Sequence, residues 1–433
     1  MRPLVSAGSK PRLLFICIDS LNWDLAKTWA RQGLLTNLGS CFAAQNSGKI
    51  KAGNGLPTSA VWQSIYTGIT PNQLGFTQPE PFWVKMSQRG LKVQIIDSPK
   101  YLEVSEVNGV WISKWYSHDS PGYEARTFPK LTLPPGYPQD FGKYEYERQE
   151  ELVDSLLNSI DHKISTTLSL LENDWDFSAV FFSESHFVGH AFWPERLNTE
   201  TLKQSPIFTI YKKLDDAIGE LIAKTSSDVF IVSPQGMATN TSLNMIVPRL
   251  LTEFEKANPS NGWIFRVTEG LRNTNVKLIK KMLNVLMPAR SQRVICQQGS
   301  GFSAAIRINL EGREPEGIVA EIDYAALLEQ LEAFFFALRD EATNQPVVSE
   351  IVHTSNKDSK MPDLLVIWSR IKRAQSIVGA FRGRVPAGFT RLREGEHTSE
   401  GGYLFLSRSK NMEIQPCIRD VDIAPFMLRY FSR

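Results

Sequence analysis

Through the first 240 residues, short apolar runs rich in β-branched and aromatic side chains alternate with longer stretches of helical periodicity. The runs are RLLFICID, LKVQIID, FSAVFFSES and DVFIVS; between them lie SAVWQSIYTG, an amphipathic stretch from Glu150 to Leu171 and another from Ile207 to Lys224. Wholly apolar runs of strand length suit strands buried on both faces, and the 3.6-residue spacing suits helices that cover them. This alternation predicts an α/β fold with a mostly parallel central sheet and helices on both faces, whose ligands gather at the C-terminal strand ends. Past Ala304 the chain resumes with AAIRINL, a helix in DYAALLEQLEAFFFALRD, and strands in PDLLVIWS and GGYLFLS.

The pattern breaks twice. Between Trp111 and Tyr144 the residues SPGYEARTFPKLTLPPGYPQDFGKY are dense in Pro, Gly and aromatics, the composition of a structured lid inserted over a site. From Asn258 to Gln298 lies a second insertion, a cap, whose segment NVKLIKKMLNVL has the spacing of a helix packing Val276, Leu278, Met282, Leu283 and Leu286 inward. With no internal repeat to divide it, the chain reads as a single domain over residues 1–433 carrying these two insertions.

Composition narrows the function by exclusion. At 433 residues, 42% hydrophobic and 22% charged, the chain is an ordinary folded protein, and a net charge of +2 gives no electrostatic footprint for nucleic acid or an anionic membrane. The Leu13–Ile18 run is too short for a secretory signal, and no later run is long enough to cross a bilayer. Cys17, Cys41, Cys296 and Cys417 are scattered without CxxC spacing, so a reduced, cytoplasmic protein is expected. Oligomeric state leaves no mark in the sequence.

Only six histidines occur, and two fall in SESHFVGH directly after an apolar strand. If a helix starts there, His186 and His190 share one face and can hold one metal, with Glu184 as a further ligand, a supporting partner or a proton carrier. Asp19 closes the first strand. Thr58 opens a helix in LPTSAVWQSIYTG, where backbone amides and the dipole favour an anion, and His397 sits in a Gly-rich loop before the last long strand. Asn54, Trp62 and Gln235 are the expected substrate contacts, and Tyr66, Tyr116 and Trp193 are further candidate pocket aromatics.

Taken in order, these pieces resemble the alkaline phosphatase superfamily, in its type I phosphodiesterase and nucleotide pyrophosphatase branch. Asp19 matches the family's first metal-ligand Asp; Thr58, Trp62, Ser64, Thr67, Gly68 and Pro71 match the segment around its nucleophilic Thr; His186 and His190 fall on its Asp-x-x-x-His pair, and His397 on its late histidine. The similarity extends to RINLEGREPEGIV, PDLLVIW and DVDIAPFML, and it implies an alkaline-phosphatase-like fold. Where the family has Ser-Asp-His-Gly-Met, this chain has VSPQGM, so Pro234 and Gln235 replace an Asp and a His that complete one of two metal sites. The other site becomes all-histidine.

The resemblance therefore implies a metal-dependent hydrolase or group transferase acting on a small anionic ester through one divalent ion, zinc first and iron second, because imidazole is not selective. Three neutral imidazoles leave the ion's double charge uncompensated. Two mechanisms stand open: activation by the ion with Thr58 and helix amides binding the anion, or Thr58 as nucleophile with Asp19 orienting it. Two other functions also remain, an inactive binding module and a biosynthetic enzyme with non-phosphoryl chemistry.

Overall fold

The first apolar run becomes the central strand of the main sheet: β1 (Leu13–Ile18) is fully buried at every position. The computed structural model describes residues 11–43, 46–53, 55–56, 58–70, 79–99, 106–116, 124–127, 131–138, 140–258, 292–297, 299–354, 361–370, 373–388, 393–408 and 414–432. After β1 come α1 (Trp23–Arg31), α2 (Thr36–Ala43), β2 (Ser47–Lys51), α3 (Thr58–Thr67), α4 (Phe82–Gln88), β3 (Val93–Ser98), β4 (Gly109–Ser113) and β5 (Glu124–Thr127). There follow α5 (Gln149–Leu171), β6 (Phe177–Phe182), α6 (Glu184–Phe192), α7 (Pro206–Lys224), β7 (Asp228–Ser233) and β8 (Gly236–Thr239). The chain closes this unit much later with β16 (Gly395–Thr398), β17 (Glu400–Leu406), β18 (Cys417–Arg419) and α10 (Ile423–Tyr430), the labels between being taken up below.

Nine strands form the main sheet in the order β18-β2-β17-β7-β1-β6-β3-β4-β5. Five of the eight neighbour pairings are parallel, including every one from β7 across to β4. Period-two alternation on β1 then divides the core. Leu14, Ile16 and Ile18 join Leu156, Ile160, Leu214 and Ile218 of α5 and α7 on one face. Phe15 turns to the other, within ring-contact distance of Phe82, Phe177, Phe181 and Phe230, where α3, α4 and α10 pack. Each such fully buried side chain contributes about 1.5–3 kcal/mol of burial, which fixes the strand register.

Register also aligns the strand ends. Ile18 pairs with Phe182, Cys17 with Val232, Ser233 with Gly402 and Lys51 with Glu400. The residues just beyond Ile18, Phe182, Ser233 and Lys51, and those just before Glu400, therefore emerge along one edge of the sheet.

The chain divides into two compact units. The first holds residues 1–54, 58–240 and 391–433, and the second residues 55–57 and 241–390. The second unit carries α8 (Val247–Ala257), β9 (Val294–Gln297), β10 (Ser303–Ile308), α9 (Tyr324–Phe336), β11 (Arg339–Asp340), β12 (Val348–His353), β13 (Leu364–Trp368), β14 (Ser376–Val378) and β15 (Val385–Pro386). Its sheets run β12-β13-β10-β9 and β11-β14-β15, around a core that includes Leu250, Ile306, Leu331, Phe335 and Trp368. Most of the expected cap, including NVKLIKKMLNVL, lies outside the described residues.

The stretch expected as a lid contributes to the sheet. Gly109–Ser113 runs parallel to β3, and Glu124–Thr127 adds an antiparallel edge strand. Tyr137 and Phe141 stack with ring centroids 3.5 Å apart and meet Phe187 of α6 edge-on. Pro and Gly density hid the short apolar run of GVWIS, whose Val110, Trp111 and Ile112 are all buried.

Candidate metal centre

Chain geometry delivers three histidines to the common sheet edge. Helix α6 begins two residues beyond β6, so the i, i+4 spacing puts His186 and His190 on one helical face. His397 arrives on β16, which pairs antiparallel with β8 just past Pro234 and Gln235. A Cβ on Gly395 would stand 2.3 Å from the Gly189 carbonyl oxygen, so the contact between α6 and β16 depends on a glycine there. The three ligand sets lie within 4.8 Å of one another, and all three rings are buried.

Hydrogen bonds fix two tautomers. The Gly395 carbonyl, 2.7 Å from His190 Nδ1, can only accept, so Nδ1 carries the proton and Nε2 the lone pair. Ser20 Oγ stands 2.7 Å from Asp19 Oδ1 and donates its one proton to that carboxylate; it therefore accepts from His397 Nδ1–H at 2.8 Å. His397 Nε2 is then also a lone pair. The His190 and His397 Nε2 atoms stand 3.2 Å apart. Two nitrogens bound to one tetrahedral zinc at about 2.0–2.1 Å stand about 3.4 Å apart, so the spacing suits a shared cation. His186 completes the set, its Nδ1 3.4 Å from Asp19 Oδ2.

Arg393, unnoticed in the sequence because no motif surrounds it, borders this cluster. Its Nη2 donates to His190 Nε2 at 3.0 Å, and its Nε and Nη2 donate to the buried Glu396 carboxylate at 2.9 and 3.2 Å. That a guanidinium bonds His190 Nε2 agrees with the lone pair deduced above.

The other expected site residues separate into three groups. Asp19 is 5% exposed and lies at the centre, as the register requires. Thr58 opens α3 beyond β2 at the same edge; Gly53 N–H donates to Asp420 Oδ2 at 3.3 Å and anchors the segment leading to it. Gln235 is buried there too, its carbonyl accepting from Ser233 Oγ at 2.8 Å. Asn54 lies outside the described residues. Trp62, Tyr66, Tyr116 and Trp193 are each at most 6% exposed, and Trp62 packs on Tyr66 and Phe181, so these aromatics serve the core.

Glu184 is the clearest departure from expectation. Its carboxylate is fully buried and accepts from Lys163 Nζ at 2.8 Å and from Ser159 Oγ at 2.5 Å, instead of meeting the histidines. Lys163, also fully buried, reaches Asp97 Oδ2 at 2.7 Å, and Asp97 Oδ1 accepts the Trp115 and Tyr116 amides. Burial alone would depress the Lys163 pKa, but the Asp97 and Glu184 carboxylates outweigh it and hold the ammonium above the ordinary lysine value. No sequence spacing marks this triad, because its members come from β3, α5 and α6.

A profile described as type I phosphodiesterase/nucleotide pyrophosphatase matches residues 13–370. The chain belongs to that family. It is accordingly an enzyme acting on phosphate esters, of the phosphodiesterase and pyrophosphatase type. The fold agrees with phosphonoacetate hydrolase from Sinorhizobium meliloti 1021, solved with phosphonoformate, at 12% identity and a TM-score of 0.53 over 98% of this chain and 96% of that one. Murine ectonucleotide pyrophosphatase/phosphodiesterase 5, solved as an inactive variant with AMP, is 10% identical with a TM-score of 0.48, over 98% and 95%. No curated protein sequence matches the chain. Among the described residues, no helix is long and apolar enough to cross a membrane.

Proposed function

We propose that this phosphodiesterase-family protein is a hydrolase or group transferase for a small anionic ester, built on one divalent ion held by His186, His190 and His397. The observation that carries this reading is the cluster of three buried histidines whose ligand atoms lie within 4.8 Å of one another. Zinc suits the imidazole set best, with iron second. When bound, the ion supplies a Lewis acid that draws electron density from an ester oxygen.

The chain's own residues do the rest. Pro234 has no ligand atom and Gln235 offers only a neutral amide, so the family's second ion has lost two of its partners and the substrate's charge needs another counterpart. Arg393 fills that role. With a cation held by the histidines, Arg393 would give up its bond to His190 Nε2 and stay beside the site on Glu396. Thr58 and the first amides of α3 hold a further anionic oxygen. All four cysteines are unpaired, which supports a reducing, cytoplasmic setting.

Arg393→Ala is expected to raise KM for an anionic ester by about 10- to 100-fold, the worth of a charge-assisted hydrogen bond of about 1.5–3 kcal/mol, with a smaller change in kcat. Steady-state kinetics checks this, and an unchanged KM removes Arg393 from the substrate site. Thr58→Ala separates the two mechanisms. If Thr58 only binds, the variant keeps measurable turnover with a raised KM; complete loss of turnover, together with a covalent adduct trapped on wild-type Thr58, assigns it the nucleophile's role instead.

A further inference from the structure

Asp19 and Ser20 form a polar layer behind two of the three histidines. Asp19 Oδ2 faces His186 Nδ1 at 3.4 Å, Asp19 Oδ1 accepts from Ser20 Oγ at 2.7 Å, and Ser20 Oγ accepts from His397 Nδ1 at 2.8 Å. Asp19 is 5% exposed and Ser20 fully buried, so water competes poorly for any of these bonds. The Asp19 backbone is itself tied down: its N–H donates to the Phe182 carbonyl at 2.7 Å, and its own carbonyl accepts from Ser185 Oγ at 2.6 Å.

Ser20 holds a φ of +61°, a conformation glycine adopts freely and other residues adopt at a cost. A serine kept in a glycine conformation, with its hydroxyl bridging a carboxylate and an imidazole, points to the hydroxyl as the reason. Carboxylate partners behind metal-bound histidines fix the tautomer and ring orientation and raise ligand basicity.

We propose that Asp19 is a positioning residue for the three-histidine centre and not a ligand of a second ion, acting on His186 directly and on His397 through Ser20. The proposal rests on the metal-binding reading above. It explains how Asp19 can stay useful beside Pro234 and Gln235: the carboxylate presents one oxygen to each histidine it orients.

Ser20→Gly is the decisive variant, because it removes the hydroxyl while easing the backbone. Zinc affinity is measured by competition with a chromophoric chelator on wild type, Ser20→Gly, Asp19→Asn and the double variant, alongside melting of the metal-free proteins. The expected result is a 10- to 100-fold loss of zinc affinity in each single variant, with metal-free Ser20→Gly melting at or above wild type and the double variant no weaker than the worse single. Zinc affinity in Ser20→Gly within about twofold of wild type, with wild-type zinc still lost in His190→Ala, overturns this proposal alone. Failure of wild type to bind zinc at all overturns the metal reading and this proposal with it.

Discussion

His190→Ala is expected to release the ion and to lower kcat/KM for the best ester substrate by at least about a thousandfold. The ion contributes several kcal/mol of transition-state stabilisation, and each ~1.4 kcal/mol is a factor of ten in rate. The position is singled out because His190 touches everything that defines the centre: Nδ1 is tied to Gly395, Nε2 faces His397, and Arg393 shares that lone pair. Alanine at a helical position with little space around it leaves the fold intact, so a melting curve of the metal-free variant close to wild type separates lost chemistry from lost structure. Turnover kept within tenfold, with metal absent, contradicts a role for the ion.

Lys163→Met should produce the largest change in stability, a destabilisation of about 3–5 kcal/mol, because it strands two buried carboxylates that now share one ammonium. The effect reaches the metal centre through Glu184, which starts the helix carrying His186 and His190. Urea denaturation measures the loss, and adding Glu184→Gln to the variant should recover part of it by removing one stranded charge. The pH dependence has a definite sign. A lysine held above its ordinary pKa contributes stability that is complete below the ordinary value and lost only as pH rises through the shifted one. Lys163 therefore adds no slope between about pH 6 and 9. A Lys163→Met protein as stable as wild type would remove the triad from the account of stability.

How legible the fold was depended on pattern strength. β1, β3, β6 and β7 are mostly apolar runs buried at every position, and α5 and α7 are long and amphipathic, so periodicity found them all. The missed elements are weak by the same test: β2 is SGKIK, buried only at Ile50, and β5 is the four-residue edge segment EART. Division into two units left no trace, because residues 241–390 continue the same mixture of strand and helix without a linker.

The site shows the same contrast. His186 and His190 were readable from spacing after a strand, and His397 from its resemblance to a family position. Bridging partners were not, since Ser20 acts through an unusual φ and Arg393 through a partner three residues away, and neither has a compositional signature. Glu184 pairs with a lysine and a serine and not with the histidines, for an instructive reason. A carboxylate at the start of a helix beside two histidines looks like a ligand until the chain brings a lysine from 21 residues earlier beneath it.

The measurement that bears most directly on the central claim is metal content per chain by plasma mass spectrometry, on wild type and His186→Ala purified without chelator or nickel resin. Three clustered, buried histidines predict one equivalent of zinc or iron in wild type and its loss in the variant. Two equivalents in wild type would contradict a mononuclear site by showing that Asp19 and other ligands rebuild the second one. No metal even after zinc reconstitution would contradict the metal centre itself, and would make this chain a family member that keeps the fold and the anion pocket without the ion.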